Sequence, residues 1–264
     1  MSDIKDTWQK PPFIINPLFR YGLYAAVIIY FVLTLATLPI DWVRVSDGLV
    51  RAQRIFSGAF PPNFERSGLL IDGFLESLKI SILATVGGIA LSVPLAFMAA
   101  NNISVRAVYL VGRGIIIVAR SFHPVIVAII FVKAVGFGPF AGALTLVVYS
   151  IGFVAKLLAE RIEEIDFGQV EAMRSTGAGF LTTLIYAVIP QIMPRLVGLG
   201  IYQLDSNLRA SAVVGIVGAG GIGATLANAF GRYDYDFALA ITIVIVGVIL
   251  ISEAISGVIR KRIT

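Results

Sequence analysis

The sequence predicts an all-α membrane protein with six transmembrane helices and a short surface helix between two of them. Of its 264 residues, 58% are hydrophobic and 14% are charged, and the mean hydropathy is +0.90. An ordinary soluble domain carries about 25% charged residues, and a soluble core of this size could not enclose so much apolar surface. Apolar runs of about 20 residues recur along the chain, which is the length that a helix needs to cross a bilayer.

Composition also excludes several classes of site. The chain has no cysteine and a single histidine, His123, so we expect no disulfide framework, no thiolate metal site and no histidine-cluster metal centre. The seventeen residues before the first apolar run lack the layout of a secretory signal. A net charge of +5 suits contact with anionic lipid headgroups. Basic residues are not arranged in a stripe with aromatic ones, so nucleic acid is not an expected partner.

The six spans follow from the apolar runs in order. The second contains Pro94, and the third is long and broken near His123-Pro124. Between the fifth and sixth lies a glycine-rich segment, 211–231, which is predicted to be a short helix or a re-entrant piece, because irregular backbone at membrane depth must lie against protein or a water-filled cavity. The predicted spans are residues 18–40, 73–99, 106–135, 139–158, 192–210 and 237–259.

An even number of spans puts both termini on the same side of the membrane. The C-terminus ends in Arg260-Lys261-Arg262 and the N-terminus carries Lys5 and Lys10, so the positive-inside tendency places both in the cytoplasm. Four arginines between the first and second spans run against this bias. The predicted layout is a cytoplasmic segment 1–17, an external loop 41–72, an internal interval 159–190, an external interval 211–236 and a cytoplasmic tail 260–264.

The internal interval has the pattern of a surface helix at about residues 160–177. Its acidic residues come early, where the helix dipole favours them, and Arg174 comes late. Gly177 and Gly179 can end such a helix, since glycine readily adopts the left-handed conformation found there. The alternative interpretation is a solvated connector without a partner.

A motif in this interval resembles the cytoplasmic signature of ABC-importer permeases, which reads Glu-Ala-Ala, three residues, Gly, nine residues, Ile, any residue, Leu-Pro. This chain has Glu171-Ala172, Gly177 and Ile189-Pro190, with Met173 and Ala187 replacing the second alanine and the isoleucine, and Ile189 the leucine. The similarity extends over a permease core at 73–259 and is closest to the phosphonate-type subfamily. The segments that carry the subfamily resemblance are 135–142 (VGFGPFAG), 151–153 (IGF), 162–166 (IEEID) and 217–223 (VGAGGIG).

The resemblance implies a type I ABC importer permease fold in the bacterial inner membrane, with a cytoplasmic coupling helix. Two copies of the permease, as a homodimer, would form the path for a phosphonate, phosphite or hypophosphite. Two ATP-binding subunits and an external solute-binding protein would be the partners. No cofactor and no catalytic residue are expected here, because ATP and Mg would bind the ATPase and this chain has no P-loop. The candidate ATPase-coupling residues are Glu164, Asp166, Glu171, Ala172, Arg174 and Gly177.

The glycine-rich segment contains a G-x-G-x-x-G pattern, but a dinucleotide-binding fold would need a soluble sheet around it, and this pattern lies between apolar spans. Two interpretations remain. The glycines either let helices pack closely or form a flexible gate beside the transport path. The residues concerned are Gly215, Gly218, Gly220, Gly221 and Gly223.

Polar residues within the spans suggest a path for an anion. A cation at the centre of a span costs at least about 2.5–3.5 kcal/mol, so it faces protein or water. Alternatively, Arg120 and Arg209 extend to the outer interface or pair with acids such as Asp205. The segment 120–126 departs from the phosphonate-type pattern, which leaves phosphite or hypophosphite possible. The candidate path residues are Arg120, Ser121, His123, Lys133, Arg209 and Ser211.

Three other functions compete with this interpretation. The first is a permease of another small-solute ABC importer, for an amino acid or a different anion. The second is a secondary transporter driven by an ion gradient, which is disfavoured because the two halves show no convincing internal repeat. The third is a membrane enzyme, which is disfavoured because the spans offer no Ser/His/Asp set and no carboxylates at catalytic spacing.

Overall fold

All regular secondary structure described here is helical, as predicted from the sequence. The structure is a computed structural model that describes residues 16–39 and 41–263, except for the side chains of the last four. Most of the predicted segment 1–17 therefore lies outside the described residues. The α-helices are α1 (Pro17–Thr37), α2 (Trp42–Ala59), α3 (Ser67–Met98), α4 (Arg106–Ser121), α5 (Pro124–Val135), α6 (Pro139–Glu163), α7 (Phe167–Ser175), α8 (Phe180–Thr183), α9 (Ile189–Val214), α10 (Gly221–Gly231) and α11 (Tyr235–Ile263).

Among the described residues, five stretches of helix are long and apolar enough to cross a membrane: α1, α3, α6, α11 and a 40-residue run from Phe180 to Ala219. This run joins α8 and α9 through a π-helical turn at Leu184–Val188. Its last residues, Gly215–Ala219, contain a kink where Val217 and Gly218 leave the helical conformation. The third predicted span, 106–135, corresponds to the pair α4 and α5, which are bent by 91° at the break next to His123-Pro124. The described helices therefore agree with six spans when this pair is taken as one.

The chain forms two compact units, Met1–Arg54 and Ile55–Thr264. In the first unit, α1 begins where the Asn16 side chain accepts a hydrogen bond from the Leu18 amide at 3.0 Å, and Pro17 occupies its first turn. None of the side chains of α1 is buried. The predicted external loop 41–72 is not a plain loop, since it contains α2 and the first turn and a half of α3.

In the second unit, α3 and α6 pack closely through small residues. A methyl group added to Gly88 of α3 would meet the side chain of Ser150 of α6, and one added to Gly87 would lie 3.1 Å from the side chain of Val147. Close approach through glycine is the usual basis of helix association in membranes, where hydrophobic attraction between helices is weak. The α3–α6 pair therefore forms the centre around which α4, α5, α9 and α10 are placed.

The two ends of this unit are built differently. One end, which we call the α7 end, carries α7, the α3–α4 connection and an apolar cluster that includes Ile162, Val188 and Ile192. At the opposite end, Asn63 donates to the Asp236 carboxylate at 3.2 Å and Arg66 pairs with Asp234 at 2.9 Å. The hydrogen bond to Asp234 and the negative charge of that carboxylate raise the pKa of the Arg66 guanidinium above its ordinary value.

A buried polar network joins α3, α6 and α9 inside the apolar core. The Asn207 side-chain nitrogen donates to Thr85 Oγ1 at 2.9 Å and to Ser150 Oγ at 3.0 Å. Gln203 Nε2 donates to Ser150 Oγ and to Asn207 Oδ1, both at 3.0 Å. Ser150, Gln203 and Asn207 are fully buried and Thr85 is 7% exposed. The network fixes the relative positions of three helices that otherwise meet through apolar contacts.

We expect Asn207→Leu to lower the free energy of unfolding by about 1–2 kcal/mol, because Thr85, Ser150 and Gln203 all lose a partner where water is absent. Unfolding in mixed micelles with increasing SDS measures this change. Thr145→Val is the matched control, since the Thr145 hydroxyl is equally buried but bonds only to Ala141 of its own helix. Equal decreases in the free energy of unfolding of the two variants would show that the cross-helix hydrogen bonds add no stability beyond that of a buried hydroxyl bonded within one helix.

Candidate functional site

Helix α7 is delimited at both ends by local sequence. The Asp166 carboxylate accepts a hydrogen bond from the Gly168 amide at 2.9 Å and caps the N-terminus. At the other end, Gly177 adopts φ +81° and its amide donates to the Arg174 carbonyl at 3.0 Å. These conformations suit aspartate and glycine, so the nine residues Phe167–Ser175 form a separate helix.

The predicted surface helix at 160–177 is therefore interrupted. Residues as far as Glu163 continue α6, Glu164 caps the C-terminus of α6, and Asp166 begins α7. Between them, Ile165 is buried in the apolar cluster at the α7 end, which forces the chain to turn there. Of the candidate coupling residues, Glu164 and Asp166 thus lie at the junction of two helices rather than in the first turns of one.

One face of α7 packs against the protein and the other is open. Val170 is 3% exposed and lies in the cluster at the α7 end, and Phe167 and Met173 pack against the same cluster. On the other side, Glu171, Ala172 and Arg174 are exposed. The spacing of three residues between Phe167, Val170 and Met173 is what a one-sided helix requires. The exposed face of α7, which carries Glu171 and Arg174, therefore lies opposite a buried row of apolar residues that holds the helix in place.

Gln191 connects the start of α7 to α9. Its side-chain oxygen accepts a hydrogen bond from the Asp166 amide at 2.9 Å. Its side-chain nitrogen donates to the carbonyls of Asp166 at 3.3 Å and Ala187 at 2.7 Å. The residue directly follows Ile189-Pro190, so the motif that suggested a coupling helix also supplies its attachment to a membrane span.

A charged clamp connects the end of α6 to α4. Arg113 donates from Nη2 to both carboxylate oxygens of Glu163, at 2.9 and 3.0 Å, and from Nε to the Ala99 carbonyl at 2.9 Å. The Asn101 amide also donates to Glu163, at 2.8 Å. We refer to Arg113, Glu163 and these partners as the Arg113–Glu163 clamp. Because Glu163 lies four residues before α7, the clamp ties α4 and the α3–α4 connection to the approach of α7.

The candidate path residues do not converge on one site. Arg209 pairs with Asp205 at 3.0 Å, and Asp205 also accepts from the Ser252 hydroxyl at 2.7 Å, which agrees with the alternative of a paired arginine. Ser211 is buried and, like Ser121, donates to a carbonyl of its own helix. Three of the six candidates therefore have partners that account for them without a solute.

The remaining three candidates, Arg120, His123 and Lys133, lie on the bent pair α4 and α5. His123 caps α5, with Nδ1 accepting from the Val125 amide at 3.3 Å. Arg120 and Lys133 are exposed, and neither forms an ion pair with any residue that the structure describes. Beside the bend lies an apolar concavity of about 690 Å³, whose walls include Phe122 and Phe131. Arg120 and Lys133 are thus the path candidates that remain available to a ligand.

The glycine segment is a tightly packed junction at the opposite end from α7. Gly220 has φ +79°, and a methyl group there would lie 2.8 Å from the backbone nitrogen of Pro139. Gly218 has φ +93° and its carbonyl accepts from the Gly138 amide at 3.0 Å. Methyl groups on the other three glycines would also collide, with Gly220 and Ala224 at Gly215, with Ser77 at Gly221 and with Ala212 at Gly223. Close packing therefore explains each of these glycines, and a role as a gate stays a prediction.

A cleft of about 580 Å³ opens beside this junction. Its walls include Glu76, Phe137, Asn228 and the backbone of the glycine segment. Among the described residues, the side chains that line it include one carboxylate and no arginine, lysine or histidine. The described part of a single copy therefore presents no cationic lining for an anion in this cleft.

Sequence reasoning missed two groups of polar residues. The network of Thr85, Ser150, Gln203 and Asn207 depends on three helices meeting, although Gln203 and Asn207 lie one turn apart on a span and could have been noticed as a costly pair. The Arg113–Glu163 clamp joins residues 50 positions apart, and nothing in the local sequence pairs them.

Comparison with known proteins places the chain among transport proteins. The family model of the binding-protein-dependent transport system inner membrane component matches residues 92–264. The phosphate-import permease protein PhnE of Mycolicibacterium smegmatis is 41% identical over 245 residues, which are 92% of this chain and 46% of that protein. The chain thus spans about half the length of that relative.

Two further proteins extend the comparison. The phosphite transport system permease protein PtxC of Stutzerimonas stutzeri is 38% identical over 224 residues, which are 84% of this chain and 82% of that protein. An inward-facing structure of the MetNI methionine ABC transporter matches with a TM-score of 0.66 and 22% identity, over 76% of this chain and 99% of its own. The chain therefore belongs to the family of inner membrane components of binding-protein-dependent transport systems and has the fold of a type I ABC importer permease.

Proposed function

We propose that this chain is the permease subunit of an ATP-driven importer of phosphorus oxyanions, such as phosphonate, phosphite or phosphate. The observation that carries the solute class is the identity of 41% and 38% to relatives named for phosphate and phosphite import. The methionine transporter shares the fold at only 22% identity, which carries no argument for an amino acid. Identities near 40% over most of the chain favour a related solute.

In this proposal the chain moves a solute and catalyses no reaction. Two copies would enclose the path, two ATPase subunits would bind both ATP and Mg, and a solute-binding protein would deliver the solute from outside. Both termini and α7 would lie in the cytoplasm, as the basic residues at both termini favour. The family membership supports the ATPase and the binding protein, and the resemblance to importer permeases supports the homodimer.

The exposed face of α7 is the proposed ATPase contact. Glu171 and Arg174 carry charges of opposite sign on this face. Val170 is buried on the other side of the helix, so α7 is held against the protein and can pass force to it. Movement of α7 would reach α9 through Gln191 and α4 through the Arg113–Glu163 clamp. These two polar connections, one at the start of α7 and one at the end of α6, would give ATP-driven closure a route to the membrane spans.

Arg120 and Lys133 are the proposed cations of the path. Both are exposed on the bent pair α4 and α5 and without an ion pair among the described residues. A guanidinium can bind two oxygens of one oxyanion, and an ammonium adds a point charge. Their exposure supports this role, whereas the charge of Arg209 is partly offset by the Asp205 carboxylate at 3.0 Å.

Reconstituted transport tests the proposed function directly. The permease, its ATPase and its binding protein in ATP-loaded proteoliposomes should take up phosphite, phosphate or methylphosphonate at least about tenfold faster than methionine, a discrimination of about 1.4 kcal/mol. Uptake should stop with a non-hydrolysable ATP analogue and persist with an ionophore. Preference for methionine would overturn the solute class, and collapse with the ionophore would indicate a secondary transporter.

The double variant Arg120→Gln/Lys133→Gln should lower the initial uptake rate by about tenfold at saturating loaded binding protein, because two cations that face the anion are lost. Basal ATP hydrolysis should not change. Arg106→Gln is the matched control, since Arg106 is an exposed arginine on α4 fourteen residues earlier, about 21 Å along the helix. Equal uptake by the double variant and the control would refute the cationic path.

Arg113→Gln should keep the ATPase bound but reduce the solute moved per ATP hydrolysed by about fivefold, which corresponds to about 1 kcal/mol of coupling energy. Glu171→Arg, on the exposed face of α7, should instead lose the ATPase during purification. Lys156→Gln is the control, because it breaks an exposed pair to Glu160 within α6. If Arg113→Gln slows uptake and ATP hydrolysis in the same proportion, the clamp only maintains structure.

A further inference from the structure

Helix α2 is amphipathic along its whole length. One side carries apolar residues at alternating spacings of three and four, and the opposite side carries charged residues at the same spacings. The apolar side consists of Trp42, Val45, Leu49, Ala52, Phe56 and Ala59. The charged side consists of Arg44, Asp47, Arg51 and Arg54. This arrangement defines an apolar stripe and a charged stripe on one helix.

The apolar stripe is largely uncovered in the part of the chain that the structure describes. Trp42 is 73% exposed, and Leu49 and Phe56 are each 69% exposed. Only Ala59, at the last turn, is buried. The family match begins at residue 92, so it assigns no role to this helix. An exposed stripe of this length needs an apolar partner.

Both ends of α2 are held next to candidate membrane spans. At its beginning, only residues 38–41 separate it from α1, and four residues reach at most about 14 Å. At its end, the Cβ position of Gly58 lies 3.7 Å from the ring of Tyr235, the first residue of α11. The following residues are bound to α11 through the Asn63–Asp236 hydrogen bond. The helix therefore cannot move far from the boundary of the membrane.

We propose that α2 lies in the plane of the membrane surface and binds the bilayer itself. The apolar stripe would enter the boundary between headgroups and acyl chains, and Trp42 suits this depth because its ring is apolar with a polar edge. The charged stripe would face water and the lipid phosphates. Asp41 and Asp47 offset two of the three arginines, so the attraction depends on apolar insertion rather than on anionic lipid.

This proposal does not rest on the solute assigned above. It requires only that α1, α3 and α11 cross a membrane, which their length and hydropathy support. A lipid-bound α2 would hold the connection between the first two spans flat on the bilayer. The alternative occupant of the stripe is a second copy of this chain, which the experiment below separates from lipid.

The chain has no cysteine, so single-cysteine variants can be spin-labelled without background. In the complex reconstituted in phosphatidylcholine liposomes, labels at Leu49→Cys and Phe56→Cys should be severalfold more accessible to oxygen than to a water-soluble nickel chelate. Labels at Asp47→Cys and Arg51→Cys on the charged stripe should show the reverse. Ile28→Cys on α1 gives the lipid reference, and unchanged ATP hydrolysis confirms assembly.

Three results would overturn the proposal. Equal nickel accessibility on both stripes would place α2 in water, away from lipid. Protection of Leu49→Cys from both reagents, together with an oxidative cross-link between two copies, would show that a second copy covers the stripe. Adding anionic phosphatidylglycerol should leave the accessibility pattern unchanged, and a pattern that appears only with anionic lipid would contradict binding by apolar insertion.

Discussion

The absence of water inside a bilayer is the constraint on which the rest of this structure depends. Every polar group at membrane depth must find a partner within the protein. Helix α9 carries Gln203, Asn207, Asp205 and Arg209, and most of their polar atoms are satisfied by α3, α6, α11 or α9 itself. These bonds therefore fix the position of α9 against α3, α6 and α11.

The two ends of the second unit differ in how they can move. At the α7 end, α7, α6, α4 and α9 are connected by long polar side chains, whose bonds can be kept while helices shift by a fraction of an ångström. At the opposite end, the glycine junction brings backbones into direct contact, as between Gly220 and Pro139. Backbone contacts tolerate little sliding. In the proposed mechanism, motion received by α7 would therefore be accommodated by tilting whole helices about the glycine junction rather than by opening that junction locally.

The spans, the all-helical fold and the break at His123-Pro124 could be predicted because each depends on local sequence. An apolar run of about 20 residues predicts a span, and a proline after a polar residue predicts a break followed by a helix start, whatever the rest of the fold. The start of α7 was not predicted, although Asp166 is a preferred N-cap residue, because Glu160 to Glu164 have the pattern of one continuous helix and the burial of Ile165 appears only in the packed structure. Helix α2 was missed although its apolar residues recur at helical spacing, because the segment is too polar to resemble a span. Contacts between distant residues, such as Arg113 with Glu163, follow from packing alone.

The position of the available cations bears on how many copies form the path. Within one chain, the cleft beside the glycine junction is lined by Glu76 and by no cationic side chain, so an oxyanion would be repelled there. Arg120 and Lys133 lie instead on an open surface beside an apolar concavity of about 690 Å³. Charges on an open surface are screened by water and ions and bind an anion weakly. In the proposed dimer, a surface of the second copy that faced these cations would exclude this water and strengthen their attraction for an oxyanion. The proposed solute class therefore fits the proposed dimer better than a single copy.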